Sequence, residues 1–372
     1  MATIRRWCVV ALGVALLVSL PVAISALPAR DSEVSAEELL EKAQGSSDLS
    51  YSGLIESVGS LRLPISDHFT DVADLFGERT TMRVWWRGDD DWRVNRLSVG
   101  GETDLVHDSR GTTTWDYESN HATRTPTFDI RLPQASDLLP PALAQRLLED
   151  AEAAEVNRIP AARVAGIDAP GLRLDPSEAQ SSIDHVDLWL DPDSGLPVRV
   201  SVFGLSVEAP ALTTTFLDVA IARPSESSTA FSPPAGVDSH FADFVDIAAA
   251  ANEFAPVRPP RTLAGLARRP TTMGAVGVYG RGATLLIALP LWDRAADPLR
   301  EQLATTPGAA KIPSGMTLAV GPLNLLLTGT AFEDHSWLFV GTVTPATLER
   351  ATRQVFAHPP SLGHWVVTSG PR

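Results

Sequence analysis

The stretch from Ser182 to Phe203 decides the fold; it reads Ser-Ile-Asp-His-Val-Asp-Leu-Trp-Leu-Asp-Pro-Asp-Ser-Gly-Leu-Pro-Val-Arg-Val-Ser-Val-Phe. Apolar residues take every second position on both sides of the central turn: Val186, Leu188 and Leu190 before it, and Leu196, Val198, Val200 and Val202 after it. Successive side chains of a strand point to opposite faces, so this alternation predicts an antiparallel hairpin with one buried face. The sequence has no comparably clear catalytic motif, so an apolar sheet face is its main indication of function.

Composition and charge narrow the class of protein. A length of 372 residues suggests about two domains. With 44% hydrophobic and 20% charged residues, the chain can bury a substantial core. The formal net charge of -15 argues against nucleic-acid binding, because no basic field would attract phosphate groups.

Residues 1–29 have the order of a secretory signal: an arginine pair, an apolar run from Trp7 to Val18, and the segment Ala23-Ile24-Ser25-Ala26. Continued to Leu27, the apolar run also reaches the ~20 residues that span a bilayer. We expect either cleavage, which the pattern slightly favours, or retention as a single-pass anchor, and in both cases an extracytoplasmic protein. The one cysteine, Cys8, lies in this segment, so a cleaved chain would hold no disulfide.

The remaining chain is predicted to form two domains. A helix capped by Ser35 opens the first domain, and a meander of strands follows, interrupted by a loop at Pro64–Gly77 and a helix at Pro141–Ala154. A stretch rich in Pro and Ser then marks the boundary before a helix at Phe241–Phe254. The predicted divisions are 30–236 for the first domain, 237–262 for a linker with a helix, 263–357 for a smaller α+β domain and 358–372 for a tail.

Three groups of polar residues could in principle carry chemistry. Asp191–Gly195 resembles the start of a calcium loop, but Val202 stands where an EF-hand needs Glu, and Asp, Pro and Gly are the usual turn formers. Asp184, His185 and Asp187 form the densest cluster and leave metal binding or proton transfer open. Paired carboxylates could support glycoside hydrolysis, but the sequence places none opposite another. We therefore assign no catalytic residue, no metal ligand and no cofactor.

Tryptophans on predicted strands point to an apolar cavity as well as to a core. Large ligand pockets are lined by apolar and aromatic groups. Alternate residues of the strand Met82–Trp86 share one face, and the opening hairpin supplies a similar face. A register error of one residue would exchange the two faces. The tryptophans are Trp85, Trp86, Trp92, Trp115 and Trp189, and the predicted lining residues are Leu54, Met82, Val84, Trp86, Val186, Leu188, Leu190, Val198 and Val200.

The order of these elements is similar to that of a known superfamily. The residues that carry the resemblance are Tyr51–Leu54, Val164–Gly166, Val186–Asp191, Gly195–Arg199, Phe216–Val219 and Phe231–Pro234, and more weakly Val276–Gly280 and Gly341–Pro345. In this order they resemble the periplasmic lipoprotein-carrier superfamily, which contains LolA-type carriers and RseB/MucB-type regulators of envelope-stress sigma factors. The presence of a second domain favours the RseB-like organisation.

The resemblance implies an α+β fold: a curved antiparallel half-barrel sheet wrapped around helices, followed by a smaller α+β domain. It implies an apolar interior that accepts acyl chains, binding without chemistry, and an anti-sigma factor as the membrane partner of the regulatory branch. We therefore expect a non-enzymatic extracytoplasmic protein that binds a lipid or other apolar ligand and acts as an envelope sensor through a membrane partner. A lipid or lipoprotein carrier is the alternative, and a hydrolase with an unrecognised acidic pair is the third reading.

Overall fold

The computed structural model describes residues 29–61, 70–98, 100–127, 131–232, 238–241, 251, 257–270, 274–329 and 335–358. Within them, strands form a sheet of twelve strands, a sheet of six strands and a two-stranded sheet of β13 and β14, whose ranges are given below. The strands of the first sheet are β1 (Tyr51–Gly59), β2 (Arg79–Gly88), β3 (Asp91–Ser98), β4 (Gly101–Asp108), β5 (Gly111–Asp116), β6 (His121–Thr125), β7 (Val156–Val164), β8 (Ile167–Leu174), β9 (Ile183–Leu190), β10 (Pro197–Gly204), β11 (Leu212–Ala220) and β12 (Asp238–Phe241).

The first sheet has the order β12-β6-β5-β4-β3-β2-β1-β11-β10-β9-β8-β7. Eleven of these strands form a continuous antiparallel array, and β12 adds to β6 in the parallel sense. The sheet is open, because β12 and β7 are its two edges rather than partners of one another. This arrangement confirms the predicted fold class, a curved half-barrel of antiparallel strands with helices, followed by a smaller α+β unit.

The strand directions give the first sheet two distinct ends. At the end that we call the hairpin end lie the β9–β10 turn at 191–196, the β7–β8 turn at 165–166 and the β2–β3 turn at 89–90. At the opposite end, which we call the docking end, lie the β5–β6 turn at 117–120 and the β10–β11 loop at 205–211.

Short helices cover one face of the sheet, which we call the inner face. Helix α1 (Ala36–Gln44) begins where the Ser35 hydroxyl accepts a hydrogen bond from the backbone of Glu38 at 3.1 Å, as the sequence predicts. The 3₁₀ turn η1 (Ala135–Leu138) and helix α3 (Pro140–Leu147) pack beside it. Together they bury Leu39, Leu40, Ala43, Leu138, Leu139 and Ala144 in the core of the first sheet.

The second unit is a six-stranded antiparallel sheet with two helices. Its sheet order is β15-β16-β20-β19-β18-β17. Its own core includes Tyr279, Leu286, Phe339 and Leu348. The elements are β13 (Thr262–Leu263), β14 (Leu266–Ala267), β15 (Gly277–Arg281), β16 (Thr284–Trp292), α5 (Asp293–Thr305), β17 (Ala310–Ile312), β18 (Gly315–Val320), β19 (Leu323–Thr328), β20 (His335–Gly341) and α6 (Pro345–Ala357).

The second unit packs against the docking end of the first sheet. The backbone of Ser182 donates to the carbonyl of Thr342 at 3.1 Å, and the backbone of Thr344 donates to the carbonyl of Gln180 at 2.8 Å. A small apolar cluster lies between the two units and includes Leu61, which follows β1, and Leu318 of the second unit. Backbone hydrogen bonds and apolar burial therefore hold the two units together.

Local structure departs from the sequence prediction at three places. The helix predicted at Pro141–Ala154 ends at Leu147, and the left-handed conformation of Asp150, with φ of 59°, prevents a helix from running through the rest of the predicted stretch. Part of the loop predicted at Pro64–Gly77 is the helix α2 (Thr70–Gly77). Strand β12 lies in the first sheet, although its residues fall within the predicted linker.

The rest of Arg223–Gly236 is irregular apart from a single helical turn, α4 (Glu226–Thr229), within its described part. Most of the helix predicted at Phe241–Phe254 lies outside the described residues, as do the signal or anchor segment and most of the tail. In the part of the chain that the structure describes, none of the helices combines the length and the apolar character needed to cross a membrane.

Candidate functional site

The inner face of the first sheet brings together eight of the nine residues predicted to line a cavity. Met82, Val84, Val186, Leu188, Leu190, Val198 and Val200 all belong to one core cluster, and each has 0% exposure. Trp86 is half-buried and packs against the same cluster. These residues share a face, as the alternation predicts, and in this structure the helical cover rests on them.

Leu54 is the exception, because it does not share the inner face with the other eight. Leu54 pairs with Arg83 on β2, whereas Ile55 pairs with the inner residue Met82 and is fully buried. The pairing of β1 with β11 shifts between Leu54 and Ile55, where Leu54 pairs with Asp218 and Ile55 with Phe216. The apolar residue of β1 that faces inward is therefore Ile55. The sequence offers Leu54 and Ile55 side by side, and alternation alone cannot choose between them.

A row of aromatic rings crosses the inner face at the hairpin end. Tyr51, Trp86, Trp92 and His107 are direct cross-strand partners on β1 to β4. Their neighbouring rings are nearly parallel, with centroids 6.0, 5.6 and 5.0 Å apart, and Phe216 meets Tyr51 edge-on at 5.8 Å. We call this row the aromatic ladder. Each such pair adds about 0.5–1.5 kcal/mol beyond the burial of its area.

Exposure changes along the aromatic ladder. Tyr51 and Trp92 are 2% and 5% exposed, whereas Trp86 and His107 are half-buried. Burial lowers the pKa of His107, whose Nδ1 lies 2.9 Å from the Thr112 hydroxyl. Buried and half-buried rings therefore alternate along the ladder, and Trp86 and His107 are the two rings that are partly exposed.

Beyond the ladder, the inner face of the sheet changes from apolar to polar. On β5 and β6, the residues in register with the inner positions of β4 are half-buried and hydrophilic. These residues are Thr112, Thr114, Asp116, His121, Thr123 and Thr125. The inner face thus has an apolar part, which α1, η1 and α3 cover, and a polar part toward β6.

Hydrogen bonds fasten the helical cover to itself and to the sheet. The Gln145 side chain donates to the carbonyl of Ala43 at 2.7 Å, and the Gln44 side chain donates to the carbonyl of Leu148 at 3.0 Å, so α1 and α3 are tied together. The Thr214 hydroxyl on β11 donates to the carbonyl of Leu138 at 2.6 Å. These bonds hold the cover at its rim, while apolar contacts fill its centre.

A buried carboxylate anchors the start of this cover. Asp137 in η1 accepts hydrogen bonds at 2.6 and 2.8 Å from Arg131 and at 2.5 Å from Arg146. Burial alone would raise the pKa of Asp137, but the two guanidinium groups and the backbone of Gln134 outweigh it and lower that pKa. The charged form is thus stabilised in place, and it orients the turn that leads into α3.

Of the five tryptophans on the predicted strands, Trp85, Trp115 and Trp189 lie away from the apolar inner face. Trp189 carries the guanidinium of Arg199 over its ring at 4.8 Å, and Trp85 carries that of Arg93 at 5.9 Å. Trp115 packs against Phe231, at a centroid distance of 5.6 Å. These contacts lie on the outer face and stabilise pairs of strands and the chain segment after β11.

The polar groups that the sequence singles out are engaged in structural contacts. Asp187 binds Arg173 through two hydrogen bonds of 2.6 and 2.8 Å, and the ring of His185 stacks on Phe203 at 4.3 Å. In the Asp191–Gly195 turn, the Asp191 carboxylate accepts from the backbone of Ser194 at 2.8 Å. Among the described residues, no group of three or more His, Cys, Asp or Glu side chains is placed to hold a metal ion.

An open antiparallel sheet that curves around helices and continues into a second α+β unit is the architecture of LolA/RseB-like half-barrels. A chain from the solved complex of MucA and MucB from Pseudomonas aeruginosa is similar in structure to this chain. The match covers 85% of this chain and 96% of the matched chain, at 18% sequence identity and a TM-score of 0.48. A LolA superfamily protein from Nitrosomonas europaea matches 53% of this chain over 98% of its own length, at 12% sequence identity and a TM-score of 0.24. No family model matches the chain, and no curated protein matches it.

These comparisons confirm the predicted resemblance to RseB/MucB-type and LolA-superfamily structures. At such identities, the likeness extends to the fold alone.

Proposed function

We propose that this chain is an extracytoplasmic, non-enzymatic protein that binds a lipid or similar apolar ligand against the inner face of its first sheet. The observation that carries the proposal is the aromatic ladder, which combines the buried rings of Tyr51 and Trp92 with the half-buried rings of Trp86 and His107. An alkyl chain that enters beside the ladder leaves water and gains about 0.8 kcal/mol per methylene. The polar part of the inner face, on β5 and β6, would lie beside the ligand's polar end.

The ligand must displace part of the helical cover, because the inner residues beneath it have no exposure. Three of the ties at the rim are neutral hydrogen bonds, from Gln145, Gln44 and Thr214. Each such bond contributes about 1 kcal/mol net. Ten buried methylenes would contribute about 8 kcal/mol, more than these three ties together. The alkyl chain would also have to replace the apolar contacts of the part of the cover that it displaces.

Uptake of radiolabelled palmitate by the purified full-length chain tests the proposal. We expect saturable binding that Leu188→Asp weakens by about tenfold or more, because a carboxylate at this site would have to be buried unpaired. Leu217→Asp is the matched control, since Leu217 is 48% exposed on β11 and should bind as the native chain does. Trp86→Asp, at the half-buried ladder, gives a second variant if Leu188→Asp fails to fold by circular dichroism. No uptake by the native chain would refute the ligand claim.

We further propose that a membrane protein, such as an anti-sigma factor, reads the ligand-bound state. In support, the second unit packs at the docking end and leaves the ladder at the hairpin end accessible to ligand. Chemical crosslinking of the full-length chain in intact cell envelopes should capture one integral-membrane partner. Transfer of palmitate between vesicles without such a partner would favour the carrier alternative instead.

The hydrolase reading has less support. Glycoside hydrolysis needs two carboxyl groups about 5–10 Å apart in a cleft. On β1 to β6, the described inner positions carry one carboxylate, Asp116, on the polar part of the face. A non-enzymatic role therefore agrees best with the chemistry of this face.

A further inference from the structure

Two buried polar atoms on the outer face of the first sheet make no hydrogen bond within the described residues. They are Oδ1 of Asp104 on β4 and Nε1 of Trp115 on β5. Asp104 and Trp115 are direct cross-strand partners, so both atoms belong to one patch. Asp104 is 2% exposed, and its other oxygen, Oδ2, accepts a hydrogen bond from Arg93. Because unpaired buried polar groups are costly, this patch favours a partner that supplies both a donor and an acceptor.

Aromatic rings border the same patch. The ring of Tyr117 meets that of Trp115 edge-on at a centroid distance of 5.3 Å, and the ring of Phe231 packs beside Trp115 at 5.6 Å. Tyr117 is 63% exposed. The face of an aromatic ring attracts a positive charge through its quadrupole. With Glu102, which precedes Asp104 on the same face of β4, we call Asp104, Trp115, Tyr117 and Phe231 the outer corner.

The outer corner is acidic. The backbone of Tyr117 donates to the carbonyl of Glu102 at 3.1 Å, and Glu118 in the β5–β6 turn accepts from the backbone of Glu102 at 3.2 Å. Beside these carboxylates, the described outer positions of β3 to β5 at this corner carry one guanidinium, that of Arg93. Burial raises the pKa of Asp104, Arg93 lowers it and Glu102 raises it, with a net rise. The negative charge of the corner is thus compensated only in part.

The segment that carries Phe231 lies on the sheet without joining its hydrogen-bond ladder. The described backbone hydrogen bonds between 223 and 232 join residues of this segment to one another, and none joins it to a strand. Arg87 on β2 holds the segment, since its Nη1 donates to the carbonyl of Pro224 at 2.6 Å. Phe231 lies seven residues beyond Pro224. Its ring can therefore move off Trp115 while the sheet keeps its backbone hydrogen bonds.

We infer that the outer corner binds an arginine or lysine side chain of a partner protein. The N–H donors of that side chain meet Oδ1 of Asp104, and its positive charge lies against the rings of Trp115 and Tyr117. The partner's backbone carbonyl beside it accepts from Nε1 of Trp115.

Three kinds of occupant could enter this corner, and a peptide fits it best. A water molecule supplies a donor and an acceptor, but it leaves the negative charge uncompensated. A small organic ammonium compensates the charge, but it leaves Nε1 of Trp115 without an acceptor. A cationic side chain on a peptide backbone supplies the donor, the charge and the acceptor together.

Titration of the full-length chain with a short arginine peptide, followed by NMR, tests this inference. The chain carries isotope-labelled nitrogen in its tryptophan indoles, and Trp115→Phe assigns the Trp115 signal. The probe is acetyl-Gly-Gly-Arg-Gly-Gly-amide, and the control peptide has glutamine in place of arginine. We expect the Trp115 signal to shift saturably with the arginine peptide and not with the glutamine peptide.

Four variants locate the binding. Tyr117→Ala should weaken it about two- to fivefold, as expected for one exposed cation–π contact, and Tyr117→Phe, which keeps the ring, should bind as the native chain does. Asp104→Asn should weaken it further, because hydrogen bonds to an ionised acceptor are the stronger ones. Asp218→Asn is the matched control: it removes a carboxylate from an exposed position of β11 and should leave binding unchanged.

Several outcomes would overturn the inference. No saturable shift with either the arginine peptide or its lysine counterpart would leave the corner to water alone. Equal shifts with the arginine and glutamine peptides would remove the role of the cation. A shift with choline chloride but with neither cationic peptide would assign the corner to a small ammonium instead. Native affinity in both Tyr117→Ala and Asp104→Asn would place the binding elsewhere.

This inference goes beyond the proposed function and does not depend on it. The outer corner lies on the face of the sheet opposite the aromatic ladder, and the titration contains no lipid. A failed titration therefore leaves palmitate uptake untouched, and failed uptake leaves the peptide site untouched.

Discussion

Arg281 fastens the second unit to the first sheet, and its removal is the most informative single perturbation of the fold. Its Nη1 and Nη2 donate to the two carboxylate oxygens of Glu155 at 2.8 and 2.7 Å, and its Nε contacts Glu178 at 2.7 Å. The two Nη groups also donate to the carbonyl of Asp150 at 2.5 Å and to the hydroxyl of Ser177 at 3.1 Å. All three nitrogens of one guanidinium thus bind the partner unit.

Arg281→Ala should lower the free energy of unfolding by about 3 kcal/mol. Removing one partner of a buried ion pair costs about 3–5 kcal/mol, because the other charge stays buried without a counter-charge. The Glu155 side chain is 5% exposed, but that of Arg281 is 28% exposed, so we expect the lower end of the range. Urea unfolding of the full-length chain, followed by tryptophan fluorescence, measures the change. Arg353→Ala is the control, because Arg353 pairs with Glu349 on the surface of α6.

The effect should also depend on pH in a defined direction. Burial alone would raise the pKa of Glu155, but its hydrogen bonds, led by that from Arg281, lower it to about 2. A carboxyl with a depressed pKa contributes stability above its unfolded value of about 4.3, and this contribution is lost as pH falls toward the folded value. The stability difference between the native chain and Arg281→Ala should therefore narrow between about pH 4.5 and pH 2. A cost below about 1 kcal/mol at pH 7, or a difference that does not narrow in acid, would refute the reasoning.

Three further predictions concern Gly195 with its control Gly166, Asp137, and His107. Gly195→Ala should destabilise the chain by about 2 kcal/mol or more, because Gly195 has φ of +75° and an added Cβ would lie 2.6 Å from the carbonyl oxygen of Lys42; Gly166→Ala, with φ of +81° and open space, should cost only about 1 kcal/mol in a thermal melt. Asp137→Ala should lower the free energy of unfolding by about 3 kcal/mol in urea. Asp137→Asn should lower it less, because asparagine keeps a hydrogen-bond acceptor at this position. Equal losses for the two variants would contradict the idea that the acceptor contributes beside the charge. Burial lowers the pKa of His107, so the unfolded state binds more protons than the folded state, and stability should fall as pH drops below about 6.5. His107→Gln should make the free energy of unfolding depend less on pH in this range. An unchanged pH dependence would count against the burial of a neutral ring.

Much of the first sheet could be predicted because period-2 patterns survive wherever one face is buried. The opening hairpin forms as two paired strands, and its Asp191–Gly195 segment is a turn because Gly195 supplies a left-handed φ and Asp191 accepts from Ser194. Helix α6 begins after Thr344, whose hydroxyl accepts from the backbone of Thr347, with Pro345 at its first position. Local chemistry suffices for such elements, because their patterns and caps lie within a few residues.

The features that escaped prediction depend on contacts between distant segments. The inward position of Ile55 follows from a shift in the pairing of β1 with β11, which β1 alone does not reveal. The aromatic ladder could not be predicted without the register of four strands, because the sequence shows its rings only as separate residues on separate strands. The contact between Arg281 and Glu155 joins residues 126 positions apart, and no local pattern marks either as a partner. A register or a docking surface must be measured in three dimensions.

The two edges of the first sheet explain how an open half-barrel can avoid adding further strands. At one edge, β7 has an irregular register between Ile159 and Ala162, and Pro160 has no backbone N–H to donate. At the other edge, β12 occupies the hydrogen-bonding positions of β6. An open sheet is usually a template for aggregation unless its edges are blunted or covered. A sheet whose margins are an irregular strand, β7, and a strand of only four residues, β12, need not close into a full barrel to limit further pairing, so closure does not fix its curvature.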